Sequence, residues 1–324
     1  MRNFEYIRPK SLKDAVASLG AGFNECAVKA GGTDILGEMK NSINTPDKVL
    51  NLETINDLKY IKLNSNTLEI GPTVKIAEIA VNEQVRKVLP VLAKAAAKVA
   101  SPQIRNMGTI SGNICQRPRC WYYRDSEVHC MKKGGDMCYA VMGRNKYHAI
   151  LGGSPCFIVH PSDTAVALMA YNARFTISNN DGDREVAADD FFILPEDNLE
   201  RENILEPGDI LSKITVPVPP EGTRGLFVKV QEREVWDFAV ASIAANVTVQ
   251  GGVCTAARIV LGGAAPKPWR AVEAENVLIG KSLNHTTAKV ASETAIKNPD
   301  PLEENAYKID LFKNLINRAI LDLA

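Results

Sequence analysis

Histidine is scarce: His129, His148, His160 and His285 are the only four in 324 residues. None belongs to an H-E-x-x-H pair or a His-carboxylate set, and no G-x-S-x-G elbow occurs. Hydrolytic metal sites and serine hydrolases drop out on that ground. A surplus of positive charge is also lacking, since 38 basic residues balance 38 acidic ones. Binding a phosphate backbone needs such a surplus, so no nucleic-acid partner is expected. No apolar run approaches the ~20 residues that span a bilayer, so no membrane span is expected. Met1-Arg2-Asn3-Phe4-Glu5-Tyr6 lacks the charged-then-apolar pattern of a signal peptide. The expected location is cytoplasmic, and periplasmic only if a signal-bearing partner exports the chain. Nucleotide fingerprints are missing too. Gly20-Ala21-Gly22 opens like a dinucleotide loop but carries Glu25 at the third glycine position and follows a helix. Gly280-Lys281-Ser282 ends like a P-loop, with Glu275 where the first glycine belongs, which argues against nucleoside-triphosphate chemistry.

Cysteine, by contrast, is concentrated. Five of the seven fall between Cys115 and Cys156, spaced Cys115-x4-Cys120-x9-Cys130-x7-Cys138-x17-Cys156. A secreted disulfide scaffold would be shorter and would spread them out, so the cluster favours metal or redox chemistry in a reducing compartment. The paired C-x2-C knuckles of structural zinc sites are missing, as is the tight run of bacterial ferredoxins. Wide spacing still allows four thiolates around one centre if the loop folds over it. Gly134-Gly135 with Lys132, Lys133 and Asp136 suits a surface-wrapping excursion. Trp121-Tyr122-Tyr123 would shield such a centre or pack beneath the loop. Spacing alone leaves iron–sulfur, zinc and redox-labile thiols all open.

Two small-residue turns accompany the cysteines. Ala27-Val28-Lys29-Ala30 reads as a strand that breaks into Gly31-Gly32-Thr33-Asp34 and a helix from Ile35 to Lys40. That order leaves backbone N–H groups free and lets a pyrophosphate come close. Arg105 to Asn113 contains the second turn, Thr109-Ile110-Ser111-Gly112-Asn113, and the pair could grip a diphosphate from both sides. Each turn taken alone is equally an ordinary helix cap. Around them, residues 1–60 read as a small α/β unit and 60–71 as a hairpin. Helices are expected near Ile76–Val81 and Leu89–Ala100, apolar strand patterning from Leu168 to Ile177, and a cap at Asp163. Pro217, Pro219, Pro220 and Gly222 mark a boundary. Beyond it, strands (226–230, 239–249, 258–261) and a helical tail form a separate α+β domain.

Together these motifs are specific. Ala30-Gly31-Gly32-Thr33-Asp34, Ile104 to Asn113, His160-Pro161-Ser162-Asp163, Glu206-Pro207-Gly208-Asp209-Ile210-Leu211 and Ala265-Pro266-Lys267-Pro268-Trp269-Arg270 resemble the FAD-binding medium subunit of the xanthine oxidase family of molybdenum hydroxylases. The likeness covers nearly the whole chain. It implies an α+β fold: a vanillyl-alcohol-oxidase (PCMH) type FAD-binding domain over 1–216, with subdomains of about 1–57 and 58–216. A C-terminal α+β domain of the CO dehydrogenase flavoprotein type, a small antiparallel sheet plus helices, would cover 217–324. It implies FAD held by Lys29, Ala30, Gly31, Gly32, Thr33, Asp34 and Ile35, by Thr109, Ser111, Gly112 and Asn113, and by Asp163, Leu211 and Lys229. The insertion at about 115–158 is similar to that of the periplasmic-type aldehyde oxidoreductase and 4-hydroxybenzoyl-CoA reductase branches. It implies a [4Fe-4S] cluster on Cys120, Cys130, Cys138 and Cys156, with Cys115 at the position that does not ligate. Expected partners are a molybdenum-cofactor large subunit, a [2Fe-2S] small subunit and an external electron acceptor or donor. Aldehyde or heterocycle hydroxylation would send electrons outward and aryl-CoA reduction would draw them inward; Cys115-Gln116-Arg117 and Lys267-Pro268-Trp269-Arg270 lean toward the aldehyde branch. A self-sufficient flavin oxidase and a zinc-stabilised scaffold are the competing readings.

Overall fold

Short apolar runs joined by helices build the first sheet of the computed structural model, which describes residues 1–324. Strands β1 (Glu5–Ile7), β2 (Cys26–Lys29) and β3 (Lys48–Asn51) lie in the order β1-β3-β2 and pair in parallel. Parallel strands require crossovers, which helices Leu12–Ala17 and Ile35–Lys40 supply. Ser11 caps the first of them, its hydroxyl accepting from the Asp14 N–H at 3.0 Å. This order delivers the C-terminal end of β2 straight into Ala30-Gly31-Gly32, the end of a parallel sheet where ligands bind.

The second sheet is antiparallel: β4 (Ile61–Leu63), β5 (Thr67–Ile70), β6 (Arg174–Asn179), β7 (Gly182–Ala187) and β8 (Ile210–Pro217), in the order β4-β5-β8-β6-β7. Helices Ile76–Val81 and Pro90–Ala97 occur where the sequence places them. The alanine-rich Pro90–Ala97 helix lies flush on the third sheet, so close that a Cβ at Gly225 would meet Val91 Cγ2 at 2.6 Å. One expectation is overturned. The apolar stretch read as a strand from Leu168 begins inside a helix, Asp163–Ala170, and the strand starts only at Arg174. Every residue of that helix is buried, so it has no polar face and no 3.6-residue period to betray it. Asp163 is its first residue; the cap is Ser162, whose hydroxyl accepts from the Ala165 N–H at 3.0 Å.

The third sheet, β9 (Thr223–Val230), β10 (Ala241–Gln250), β11 (Val253–Gly262) and β12 (Trp269–Arg270), is antiparallel in the order β12-β11-β10-β9. Alternate side chains of a strand face opposite ways. Ala244 of β10 accordingly joins the middle core, while Ile243, Ala245 and Val247 join a core beneath helices Val272–Leu278, His285–Ala295 and Tyr307–Asp322. Gly262 lets the buried helix approach, since a Cβ there would stand 2.8 Å from Val166 Cγ2. Arg258 and Arg270 both pair with Asp189, at 2.5 and 3.0 Å, and tie the third sheet to the middle unit.

The cysteine segment keeps Asp125, Ser126, Glu127, Gly134 and Asp136 at the surface, as its polar residues suggest. It is also wedged among all three units. Tyr123 Oη donates to Glu38 at 2.7 Å and Arg124 pairs with Asp34 at 2.7 Å in the first. Lys132, expected to be solvated, is 4 % exposed and pairs with Glu202 at 2.7 Å beside the middle sheet. The Asn145 N–H donates to Glu304 at 2.8 Å, and Asn305 Nδ2 to the His148 carbonyl at 3.1 Å, in the C-terminal unit.

Candidate cofactor sites

The two glycine turns touch. A Cβ on Gly31 would lie 2.1 Å from the Met107 carbonyl oxygen and 2.9 Å from Gly108 Cα, so backbone packs on backbone here. Gly32 takes φ +75°, a left-handed conformation that glycine adopts without a Cβ penalty. Thr109 caps the short turn Ile110–Ile114 by accepting from the Gly112 N–H at 3.3 Å. Ser111 Oγ donates to the Pro72 carbonyl at 2.8 Å and anchors the turn. Between the turns opens a cavity of about 220 Å³, walled by Ala30, Gly31, Gly32, Thr33, Asp34, Ile35, Thr109, Ser111, Gly112 and Leu211. Ten of the fourteen candidate cofactor residues therefore share one space.

The other four sit beside it. Lys29 lies against Gly32 but gives its ammonium to Glu53 at 2.8 Å. Asn113 Oδ1 accepts from the Ser162 and Thr164 hydroxyls, each at 2.6 Å, and so ties the second turn to the buried helix. Asp163 faces a separate cavity of about 130 Å³ between the middle and C-terminal units, and pairs with Lys229 at 2.7 Å. Burial pushes the Asp163 carboxyl up, and Lys229 offsets part of that rise. Asp34 lines the first cavity with both oxygens engaged, by the Arg117 N–H at 2.7 Å and by Arg119 and Arg124 at 2.9 and 2.7 Å.

Sequence reasoning missed part of the wall. Gly20 and Gly22, set aside as a failed dinucleotide loop, and Phe23 line the first cavity together with Glu206 to Asp209, Arg117 and Arg201. The Glu206-to-Leu211 motif was the available signal for one side. Nothing in the local pattern marks Phe23 or Arg201.

Cys120, Cys130, Cys138 and Cys156 all line a third, narrow cavity, with Tyr122, Tyr123 and His148 among its walls. Cys115 lies apart, in the FAD-side cavity, where burial pushes its thiol up to about 12. Burial likewise takes Cys120 up to about 11. Cys138 is hydrogen-bonded to Cys156 and receives the Ala140, Val141 and Phe157 N–H groups, which draws its thiol down. No three His, Cys, Asp or Glu side chains stand close enough together to hold one metal ion. His148 Nε2 lies 3.3 Å from Cys120 Sγ, and both residues also line the Asp163 cavity. His148 is therefore a shared wall between the two spaces. Burial and nearby Lys308 hold its imidazole down to about 4, so it is neutral at physiological pH.

Lys308, fully buried in the last helix, donates to the His148 carbonyl at 3.0 Å and to the Gly263 carbonyl at 2.5 Å, with no carboxylate partner. Burial pushes it down to about 7. Between that value and the ordinary lysine range the unfolded chain holds the proton and the folded chain releases it. Stability therefore rises with pH across this window. Relative to Lys308→Met, the wild-type chain should gain up to about 1.4 kcal/mol per pH unit from pH 7 to 9, read by urea denaturation at each pH.

The sequence pattern of the FAD binding domain in molybdopterin dehydrogenase matches residues 2–219, and that of the CO dehydrogenase flavoprotein C-terminal domain matches 227–323. The chain is 33% identical to the aldehyde oxidoreductase FAD-binding subunit PaoB of Escherichia coli (strain K12), over 98% of this chain and 96% of that one. It is 28% identical to the carbon monoxide dehydrogenase medium chain of Afipia carboxidovorans, over 87% and 82% respectively. Among solved structures, carbon monoxide dehydrogenase from Hydrogenophaga pseudoflava superposes with a TM-score of 0.79 at 28% identity, covering 100% of this chain and 97% of that one. No helix is long and apolar enough to cross a membrane. The chain belongs to the molybdopterin dehydrogenase family, as an FAD-binding subunit of a multi-subunit molybdenum hydroxylase-type oxidoreductase.

Proposed function

We propose that this chain carries a [4Fe-4S] cluster beside its FAD. In this reading it relays electrons between a partner's molybdenum and [2Fe-2S] centres and an external acceptor. One observation carries the reading: four thiols from a wedged insertion meet in one cavity that shares Cys120 and His148 with the Asp163 cavity. FAD would be held by the two glycine turns, with Asp163 and Lys229 toward its redox-active end, and the cluster by Cys120, Cys130, Cys138 and Cys156. FAD supplies two-electron acceptance and the cluster one-electron steps. The chain's own part is to hold both close while excluding water, which the buried Asp163–Lys229 pair and the Tyr122 and Tyr123 walls accomplish.

The likeness to an aldehyde oxidoreductase subunit at 33% identity favours aldehyde oxidation, with electrons leaving through the flavin, over aryl-CoA reduction. Cys130→Ser in the purified complex should lose the chain's iron and its reduced-cluster EPR signal while keeping the flavin. Retention of both iron and signal would remove Cys130 from the ligand set, and a wild-type complex whose chain lacks both would remove the cluster.

A further inference from the structure

We infer that Arg201 is the cationic partner of the FAD diphosphate and that Phe23 holds it in position. This rests on the FAD reading of the large cavity and adds to it a residue outside the glycine turns.

The observation is a charge left over. Cations crowd the region between the turns and the cysteine segment, and nearly all are already paired. Lys29 and Lys75 both pair with Glu53. Arg117 faces Glu202 at 3.1 Å, and Arg119 and Arg124 share Asp34. Arg201 lines the same cavity and has no carboxylate within ion-pair distance. Its guanidinium carbon lies 3.8 Å from the centre of the Phe23 ring, a contact that holds the planar group by cation–π attraction. Its Nε is shielded from water and has no hydrogen-bond partner. Burial and the neighbouring charge of Arg117 pull its pKa down, and the charge of Glu202, which is already paired with Arg117 and Lys132, offsets only part of that fall.

A guanidinium whose Nε is cut off from water with no partner is costly to keep unless an anion meets the group. Three of the wall's four carboxylates are already occupied, Asp34 by three arginines' groups, Asp209 by Arg184 at 2.5 Å and Glu38 by Arg124 at 3.7 Å, while Glu206 makes no ion pair. Backbone N–H groups of the turns can donate to phosphate oxygens but bring no full charge. Arg201 supplies that charge as a planar fork matched to two oxygens. The Phe23 contact also joins the first subdomain to the 198–205 loop, so closure of the cavity and binding of the anion are coupled.

The test titrates the complete chain, stripped of flavin, with FAD, ADP and adenosine. ADP carries the diphosphate and adenosine lacks it. Arg201→Met should weaken FAD and ADP about 10- to 150-fold, the range for a charge-assisted hydrogen-bond pair, and leave adenosine unchanged. Arg201→Lys should recover part of the loss by restoring charge without the fork. Phe23→Leu, at a position 37 % exposed that tolerates the change, should give the same pattern at about 2- to 30-fold. Equal weakening of adenosine would overturn the assignment in favour of a packing role, as would FAD and ADP affinities unchanged in both Arg201 variants. A wild-type chain that binds none of the three would remove the FAD reading itself.

Discussion

Replacing Lys229 with methionine is expected to destabilise the protein by about 3–5 kcal/mol, the cost of leaving a buried charge without its partner. The Lys229 side chain is 1 % exposed and the Asp163 side chain 6 %, and Lys229 is the sole ion-pair partner of Asp163. The ammonium also donates to the Lys98 carbonyl at 3.0 Å, so three elements meet on it. With the ammonium gone, burial drives the Asp163 pKa further above its unfolded value. The folded state then holds a proton that the unfolded state gives up near pH 4, so stability falls as pH rises from there. The loss should therefore be larger at pH 8 than at pH 5 in urea denaturation. The double variant Asp163→Asn/Lys229→Met should recover most of it. A single variant as stable as wild type at pH 8 would mean that the pair is hydrated in solution.

Gly31→Ala is expected to have the second large effect, this time on cofactor binding. The new methyl carbon would meet the Met107 carbonyl oxygen at 2.1 Å and Gly108 Cα at 2.9 Å. Both neighbours are backbone, and neither can swing aside as a side chain would. The turns must part, at about 1–3 kcal/mol of overpacking, and the N–H groups proposed to hold the diphosphate part with them. FAD affinity should fall at least about tenfold, which corresponds to 1.4 kcal/mol. Gly37→Ala is the matched control. It lies one turn on in helix Ile35–Lys40, nothing stands within 4 Å of its added Cβ, and it should stabilise the helix by up to about 1 kcal/mol. Flavin content on purification, with thermal melts, reads both. Unaltered FAD affinity in Gly31→Ala would show that the contact between the turns does not shape the site.

What the sequence displays plainly is whatever has a period or a punctuation mark. The strand that breaks at Gly31-Gly32, the Ile35–Lys40 helix and the Ile61–Ile70 hairpin are legible because glycine, proline and alternation act locally. The Asp163–Ala170 helix is not, because burial on every side removes the pattern that marks a helix. At Lys132 the cysteine segment misleads for the opposite reason. Its lysines and glycines read as solvated, yet Lys132 is buried on Glu202, a partner 70 positions away. Both glycine turns could be marked from sequence, since glycine and hydroxyl residues punctuate the chain locally, whereas the choice of four thiols among five came only from the resemblance. Arg201 and Phe23 could not be marked, because their roles arise from a contact between segments nearly 180 residues apart.

The most direct test of two redox centres in one chain is the ratio of flavin to iron in the complete chain, purified without oxygen. Equimolar FAD with about four iron per chain, and an EPR signal that appears on reduction, is the expected result. Equimolar FAD with zinc or with no metal would contradict the cluster and leave a flavin subunit whose four convergent thiols serve some other purpose.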